Sequence, residues 1–206
     1  MTTRVAHKGL QLVSTTRQRT LALAETLSQT ELDRSPAPGK WSVGEILDHL
    51  IKSDGVYYEV IRELFQLRQA GKEAYIRYGF KDINASVLGI PKSSIGFFEI
   101  PFGMFNLFVP RTIRTFLMTS RWFPTEAPDV ARPRPGRSGG MLRRALNNAP
   151  DELETLFESH PGLKYDDFKF YHPLFGENNL YQLLQILTFH ESIHHKQIQE
   201  TILKIQ

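Results

Sequence analysis

The strongest constraint on the fold comes from the last stretch of the chain, where apolar side chains recur at helical spacing. Intervals of three and four residues place such side chains on one face of an α-helix. Asn178 or Asn179 is a suitable N-cap for this helix. The pattern predicts a long helix with one buried face, and that face includes two histidines. The stripe consists of Leu180, Leu183, Leu187, His190, His194, Ile198 and Thr201.

Three earlier segments also show the pattern expected of long helices. The first predicted helix ends before the Pro- and Gly-containing loop at 35–39. The second begins at Ser42, which forms a capping-box pattern with Glu45, and it ends near Gly71. The third begins near Ser138 or Met141 and ends at Ser159, and Ala149-Pro150 predicts a kink or a break within it. No segment shows sustained strand alternation, so the predicted class is all-α with four long helices.

The region between the second and third helices, residues 71–137, is the least regular part of the chain. It is rich in phenylalanine, and its prolines allow only short helical pieces. We interpret it as an insertion within a single domain spanning residues 1–206. The favoured role of this insertion is to add helices that pack on the bundle, or to form a dimer interface. A lid over a site is the alternative, and attachment of Phe97–Phe108 to a membrane surface is a further one.

Composition narrows the function classes. Of the 206 residues, 41% are hydrophobic and 23% are charged, as in globular proteins. The absence of cysteine excludes disulfides, thiolate metal sites and a cysteine nucleophile. The net charge is only +3, so no nucleic-acid partner is expected. The Arg-rich stretch 111–144 is interpreted as a solvated loop, with binding of an anionic substrate or nucleic acid as the alternative. Neither a transmembrane segment nor a secretory signal is visible, which predicts a cytoplasmic location.

The two histidines of the last helix are candidate metal ligands. His190 and His194 are four residues apart, so both imidazoles project from one face of the helix. Burying them among leucines costs free energy unless their nitrogens are bound, either by a metal ion or by hydrogen bonds. His49, at the edge of the second helix's apolar stripe, completes a three-histidine set if those helices are neighbours. Such a set leaves a fourth position for water, as in catalytic zinc sites. Zinc or nickel is favoured, and iron or manganese also fits.

The same residues spell a competing motif. His190-Glu191-Ser192-Ile193-His194 matches H-E-x-x-H, in which the glutamate is the general base of a zinc protease. Such proteases take a third ligand after the second histidine, and the 12 residues after His194 contain no such pattern. The motif therefore carries little weight by itself. Glu191 remains a catalytic candidate, with a solvated helix residue as the alternative.

Two blocks of sequence resemble a known family. Residues 35–50, SPAPGKWSVGEILDHL, are similar to the second helix of the DinB/YfiT-like four-helix metalloenzymes. The block from His172 to Gly176, followed by His190, His194, His195 and Gln197, resembles that family's closing motif. The resemblance covers about residues 10–70 and 138–206, and the long aromatic segment 71–137 departs from it. It implies an up-down-down-up bundle with a long crossover between the second and third helices. It also implies a metal site formed by His49, His190 and His194.

Two classes of function follow. The first is a metal-dependent enzyme acting on a small molecule, in which the ion activates water for hydrolysis or a low-molecular-weight thiol for transfer. The family resemblance is the source of the thiol chemistry, and it also suggests a homodimer. The second class is a non-catalytic, stress-related or partner-binding module in which the metal is structural or absent. The two differ in whether the fourth metal position opens into a pocket.

Overall fold

A computed structural model describes residues 3–79, 82, 103–105, 108–109, 127–160, 162–163, 165, 167–173 and 175–206. Most of the predicted 71–137 insertion lies outside these residues. The expectations for its extra helices, dimer interface and lid lie mostly outside them as well. Of the phenylalanines in the expected membrane-binding segment, Phe105 and Phe108 are described, and Phe108 is 72% exposed. Of the Arg-rich stretch, residues 127–144 are described, and 139–144 form the start of a long helix, Gly139–Glu158, so this part is not a solvated loop. The described helices include none with the length and hydropathy needed to cross a lipid bilayer.

The described part of the chain is mostly helical, as predicted. It contains α1 (Thr3–Ala24), a short α2 (Gln29–Asp33), α3 (Val43–Gln69), α4 (Gly139–Glu158) and α5 (Leu180–Ile205). Two helix starts follow the capping signals in the sequence, whereas the first predicted helix ends earlier than expected, at Ala24. Ser42 and Glu45 form the capping box of α3, and Asn179 forms one with Gln182 at the start of α5. Short α2, which has a capping box of its own, is not among the predicted helices.

A small sheet corrects the expectation that the chain is purely helical. Strands β1 (Tyr75–Arg77), β2 (Lys169–His172) and β3 (Gly176–Asn179) lie in that order, with β1–β2 parallel and β2–β3 antiparallel. The strands are only three or four residues long, too short to show a period of two in the sequence. In β3 the inward positions are Gly176 and Asn178, so hydrophobicity does not mark its buried face.

The proline in the third long helix does not break it, because another side chain replaces the lost donor. Pro150 lies inside α4, which runs without interruption from Gly139 to Glu158. A proline has no N–H, so the carbonyl four residues earlier loses its helical partner. That carbonyl belongs to Leu146, and it accepts a 2.9 Å hydrogen bond from Nη1 of Arg17 in α1. The predicted break is therefore wrong, since α1 satisfies the freed carbonyl.

The long helices enclose two apolar clusters with a polar layer between them. Helices α1 and α3 each pack against both α4 and α5. One cluster contains Phe65, Leu153 and Leu183, and the other contains Leu47, Leu142 and Ile198. Arg17, Asp54 and Glu191 are buried between the two clusters along their helices, and His49 is buried beside Leu50 at the edge of the second cluster. A buried polar layer must be internally paired, since each unpaired group would cost free energy.

Candidate metal centre

Three imidazoles from two helices meet at one point in this polar layer. His49 lies in the second turn of α3, and His190 and His194 lie one turn apart on α5. Nε2 of His190 is 3.2 Å from Nε2 of His49 and 3.2 Å from Nε2 of His194. One ligand atom of each residue lies within 4.8 Å of the others. The structure thus brings together the three residues that the sequence selects.

The hydrogen bonds of two rings fix which nitrogen faces this point. Nδ1 of His49 donates to the carbonyl oxygen of Ala131 at 2.7 Å. Nδ1 of His194 donates to Oε1 of Gln197 at 2.8 Å. A neutral imidazole carries only one N–H, so Nε2 of both rings presents a lone pair. If Nε2 of His190 carries a proton, it can donate to only one of these two lone pairs at a time. The other lone pair then has no hydrogen-bond donor among the three rings.

A divalent metal ion fits this donor set. Two imidazole nitrogens bound to zinc at about 2.0–2.1 Å, at the tetrahedral angle, lie about 3.3 Å apart. The two 3.2 Å separations between Nε2 atoms are close to that value. Hydrogen bonds that hold the opposite ring nitrogen are the usual support for metal-bound histidines. The three imidazoles could therefore hold a divalent ion, since two of their nitrogen separations and the Nδ1 hydrogen bonds of His49 and His194 suit one.

Burial also keeps the rings neutral. It lowers the pKa of His49, lowers that of His190 well below its ordinary value, and lowers that of His194 to about 4. Neighbouring imidazoles in the cluster lower the pKa of His190 and His194 further. Since only neutral imidazole binds a metal, all three rings present lone pairs at neutral pH.

The ring of Trp41 covers one side of the histidine cluster. Its centroid lies 5.0 Å from that of His49 and 6.2 Å from that of His194, with which it stacks at an interplanar angle of 23°. Trp41 also lines an open cavity of about 550 Å³ formed by the loop before α3 and the start of that helix. On α3 itself, the hydroxyl of Ser53 lies 3.5 Å from Nε2 of His49. The cluster therefore has a cavity next to its aromatic cover and a polar group beside one donor.

The glutamate of the H-E-x-x-H pattern is bound to an arginine. Glu191 is only 3% exposed, which corrects the interpretation of a solvated helix residue. Its Oε1 and Oε2 accept from Nε and Nη2 of Arg17 at 2.7 and 3.1 Å. Nη2 also donates to Oδ2 of Asp54 at 2.7 Å. Burial raises the pKa of Asp54 to about 6, although Arg17 acts in the opposite direction. Glu191 thus belongs to a buried charged group spanning α1, α3 and α5.

Sequence reasoning missed several partners of the site. Arg17 lies in the polar layer and is 1% exposed, but the sequence does not distinguish a buried arginine from a solvated one in a helix. The carbonyl of Ala131 is a backbone atom 82 positions from His49, so no side-chain pattern could reveal it. Asp48 precedes His49 and is also 1% exposed. The only available signal for Asp48 was its place in the apolar stretch of the second helix.

A buried histidine outside the cluster leads to a prediction on pH. Burial lowers the pKa of His172 in β2 to about 4, whereas an unfolded chain binds this proton near pH 6.5. Between those pH values the unfolded state holds more protons, so stability falls as the pH falls. Replacing His172 with glutamine should reduce the slope of unfolding free energy against pH by up to about 1.4 kcal/mol per unit.

The measurement is urea unfolding of metal-free protein at several values between pH 4.5 and 7. Comparing each variant with the parent cancels the contributions of other titrating groups. The exposed His7 provides the matched control, His7→Gln, since that ring is solvated in both states. An unchanged slope in His172→Gln would contradict the assignment of a depressed pKa.

Comparisons with known proteins bear on the family and the fold of this chain. The sequence model of the DinB superfamily matches residues 12–198. Among solved structures, the chain is similar to YfiT from Bacillus subtilis, which is described as "a probable metal-dependent hydrolase with an unusual four-helix bundle topology". The TM-score is 0.53 at 15% identity, over 98% of this chain and 87% of that one. At this identity the likeness concerns the fold. No curated protein gives a significant match.

Proposed function

The chain belongs to the DinB superfamily, and we propose that it is a metal-dependent hydrolase whose divalent ion is held by His49, His190 and His194. The observation that carries the proposal is the convergence of three Nε2 atoms, two of them on rings whose Nδ1 is hydrogen-bonded elsewhere. The description of YfiT as a metal-dependent hydrolase supports the same class of chemistry. Zinc or nickel is the expected ion, and iron or manganese suits the same donors.

The protein residues have distinct parts in this proposal. A divalent ion with three imidazole ligands supplies Lewis-acid activation of water or of a thiol. Gln197 and the Ala131 carbonyl hold His194 and His49 in the tautomer that presents Nε2. Trp41 shields one side of the imidazoles from water. Ser53 places a hydroxyl beside His49, where it can hydrogen-bond a water or substrate group. Because Glu191 pairs with Arg17, we assign it to holding the helices together.

We infer a small-molecule substrate from the cavity that Trp41 lines. Its volume of about 550 Å³ is within the range of small-ligand sites. Lys40 and Glu45 supply charge at its wall and Trp41 supplies an aromatic face. A low-molecular-weight thiol is the second candidate for the activated group. The thiol is suggested by the family resemblance, and the activity assay described below tests it.

We also propose the up-down-down-up order of the four long helices, in a single domain with the crossover at about 71–137. Contacts between particular residues support it. The Cα of Gly9 faces Leu184, and Arg17 further along α1 reaches Glu191 further along α5, as expected for parallel helices. In α3 and α4, the Tyr58 hydroxyl donates to the carbonyl of Ala149 and Phe65 packs on Phe157, again in the same order along both helices. A homodimer and a cytoplasmic location remain predictions.

Metal dependence of activity is the direct test. Untagged protein should contain about one divalent transition metal ion per chain by elemental analysis, as a single three-ligand site requires. The metal-loaded protein should hydrolyse members of a panel of small esters, amides and phosphoesters, and chelation should abolish the activity. A parallel panel supplies low-molecular-weight thiols with electrophilic acceptors. Activity only in the second panel would replace hydrolysis with thiol transfer. Tight metal binding without activity in either panel would favour the non-catalytic module.

A further inference from the structure

A strap of ten residues, 128–137, crosses α3 beside the histidine cluster. It begins with a 3-10 turn, Asp129–Ala131, and turns again at Gly136, which has a positive φ of 70°. Most of its residues are exposed, but Ala131 is only 3% exposed. The buried residue of the strap is therefore the one whose carbonyl binds Nδ1 of His49.

The Asp48 carboxylate makes the side-chain contacts that hold the middle of this strap on α3, while Gln29 binds the carbonyl of Arg137 at its end. Oδ2 of Asp48 accepts the backbone N–H of Arg134 at 2.8 Å and Nζ of Lys52 at 2.6 Å. Its Oδ1 lies 3.5 Å from Nη1 of Arg137. Lys52 in turn donates to the carbonyl of Arg132 at 2.7 Å. Asp48 thus binds the strap directly at two residues and indirectly at a third.

The position of Asp48 gives these bonds their importance. It immediately precedes His49 on α3, and it is 1% exposed. A buried carboxylate needs several donors to offset its lost hydration, and here one of them is a backbone N–H that only the strap supplies. If the strap left α3, the carboxylate would keep Lys52 but lose the Arg134 N–H and the Arg137 guanidinium. The carbonyl of Ala131 is held over His49 by the same arrangement.

We propose that Asp48 is a positioning residue for the metal centre, which fixes the tautomer of His49 by anchoring the 128–137 strap. The chain of contacts is short: Asp48 binds Arg134, the strap presents the Ala131 carbonyl, and that carbonyl holds the Nδ1 proton of His49. Nε2 is then left as the metal-binding atom. The inference rests on the proposed function in so far as it concerns metal affinity, but the tautomer is a property of the chain alone.

The test compares Asp48→Ala and Asp48→Asn with the parent. Long-range ¹H–¹⁵N NMR spectra of metal-free protein report which nitrogen of His49 carries the proton. The parent should show only the Nδ1–H tautomer, and Asp48→Ala should show a mixture. Competition with a chromophoric chelator measures zinc affinity, and Asp48→Ala should weaken it by roughly 10–100-fold, as for other supports of metal-bound histidines. Asp48→Asn keeps an acceptor for the Arg134 N–H and should fall between the two.

Controls separate positioning from general loss of stability. Asp167→Ala removes a carboxylate from an exposed ion pair with Arg68 and should leave both readouts unchanged. His172→Gln perturbs a buried site outside the cluster and should lower stability while keeping the parent tautomer and zinc affinity. The inference would be overturned if Asp48→Ala kept a pure Nδ1–H tautomer at His49 and the zinc affinity of the parent. If the parent itself binds no zinc, the proposed function fails, whereas the NMR result still decides whether the strap holds His49.

Discussion

His190→Ala should reduce zinc affinity by at least about a hundredfold, a loss beyond the range expected when a supporting group is removed. His190 is the central member of the cluster, since its Nε2 lies 3.2 Å from those of both other histidines. The two remaining imidazoles would sit on different helices without the ring between them. His49→Ala and His194→Ala should have comparable effects, because each leaves two protein ligands for an ion that needs three.

Elemental analysis after dialysis against a weak chelator, with chelator competition for affinity, measures this loss. His160→Ala, at the end of α4, is the control for removing a histidine elsewhere. Because the three ligands act on one ion, the losses in double variants should not equal the sum of the losses in the single ones. Retention of stoichiometric metal by all three single variants would mean that the ion binds elsewhere, and the proposed centre would be abandoned.

Arg17→Met should be the most destabilising substitution in the polar layer, at about 3–5 kcal/mol of unfolding free energy. The arginine side chain is 1% exposed and binds two carboxylates and one carbonyl. Methionine has a similar length but no donors. Asp54, Glu191 and the carbonyl of Leu146 would then stay buried without their shared partner, and Pro150 removes the helical alternative for that carbonyl.

Urea unfolding of the metal-free protein measures the effect. The matched control is Arg62→Met, which breaks an ion pair with Glu59 on the exposed side of α3 and should cost under about 1 kcal/mol. Adding Asp54→Asn and Glu191→Gln to Arg17→Met removes both unpaired carboxylate charges. The triple variant should therefore recover part of the lost unfolding free energy. A change of less than about 1 kcal/mol in Arg17→Met would show that water reaches the carboxylates and that the layer is not sealed.

The long helices could be predicted because their signals are local. Ser42 with Glu45, and Asn179 with Gln182, form capping boxes that can be identified within four residues of sequence. The ligand candidates were also accessible, since His190 and His194 share one helical face. Pairing them with His49 required only that α3 and α5 be neighbours, and these helices do pack together.

What could not be predicted depends on contacts between distant positions. The strands are too short to have a recognisable period, and β3 turns Asn178 rather than an apolar residue inward. Pro150 correctly indicated a missing helical hydrogen bond, but the donor that replaces it comes from Arg17, 129 positions away. The hydrogen bond between His49 and the Ala131 carbonyl likewise depends on where a loop passes over α3. Local propensity does not encode such information.

The separation of the paired residues along the chain bears on how the molecule folds. His49 and His190 are 141 positions apart, and Arg17 and Glu191 are 174 apart. Closing a flexible loop of that size costs about 4 kcal/mol of chain entropy before either contact contributes. Helices can form early from their capping signals, but the polar layer must be completed late, after the segments have docked. Interactions that are absent from the folding transition state stabilise the native state by slowing its unfolding. We therefore expect a bound ion to prolong the lifetime of the native state while leaving the speed of folding nearly unchanged.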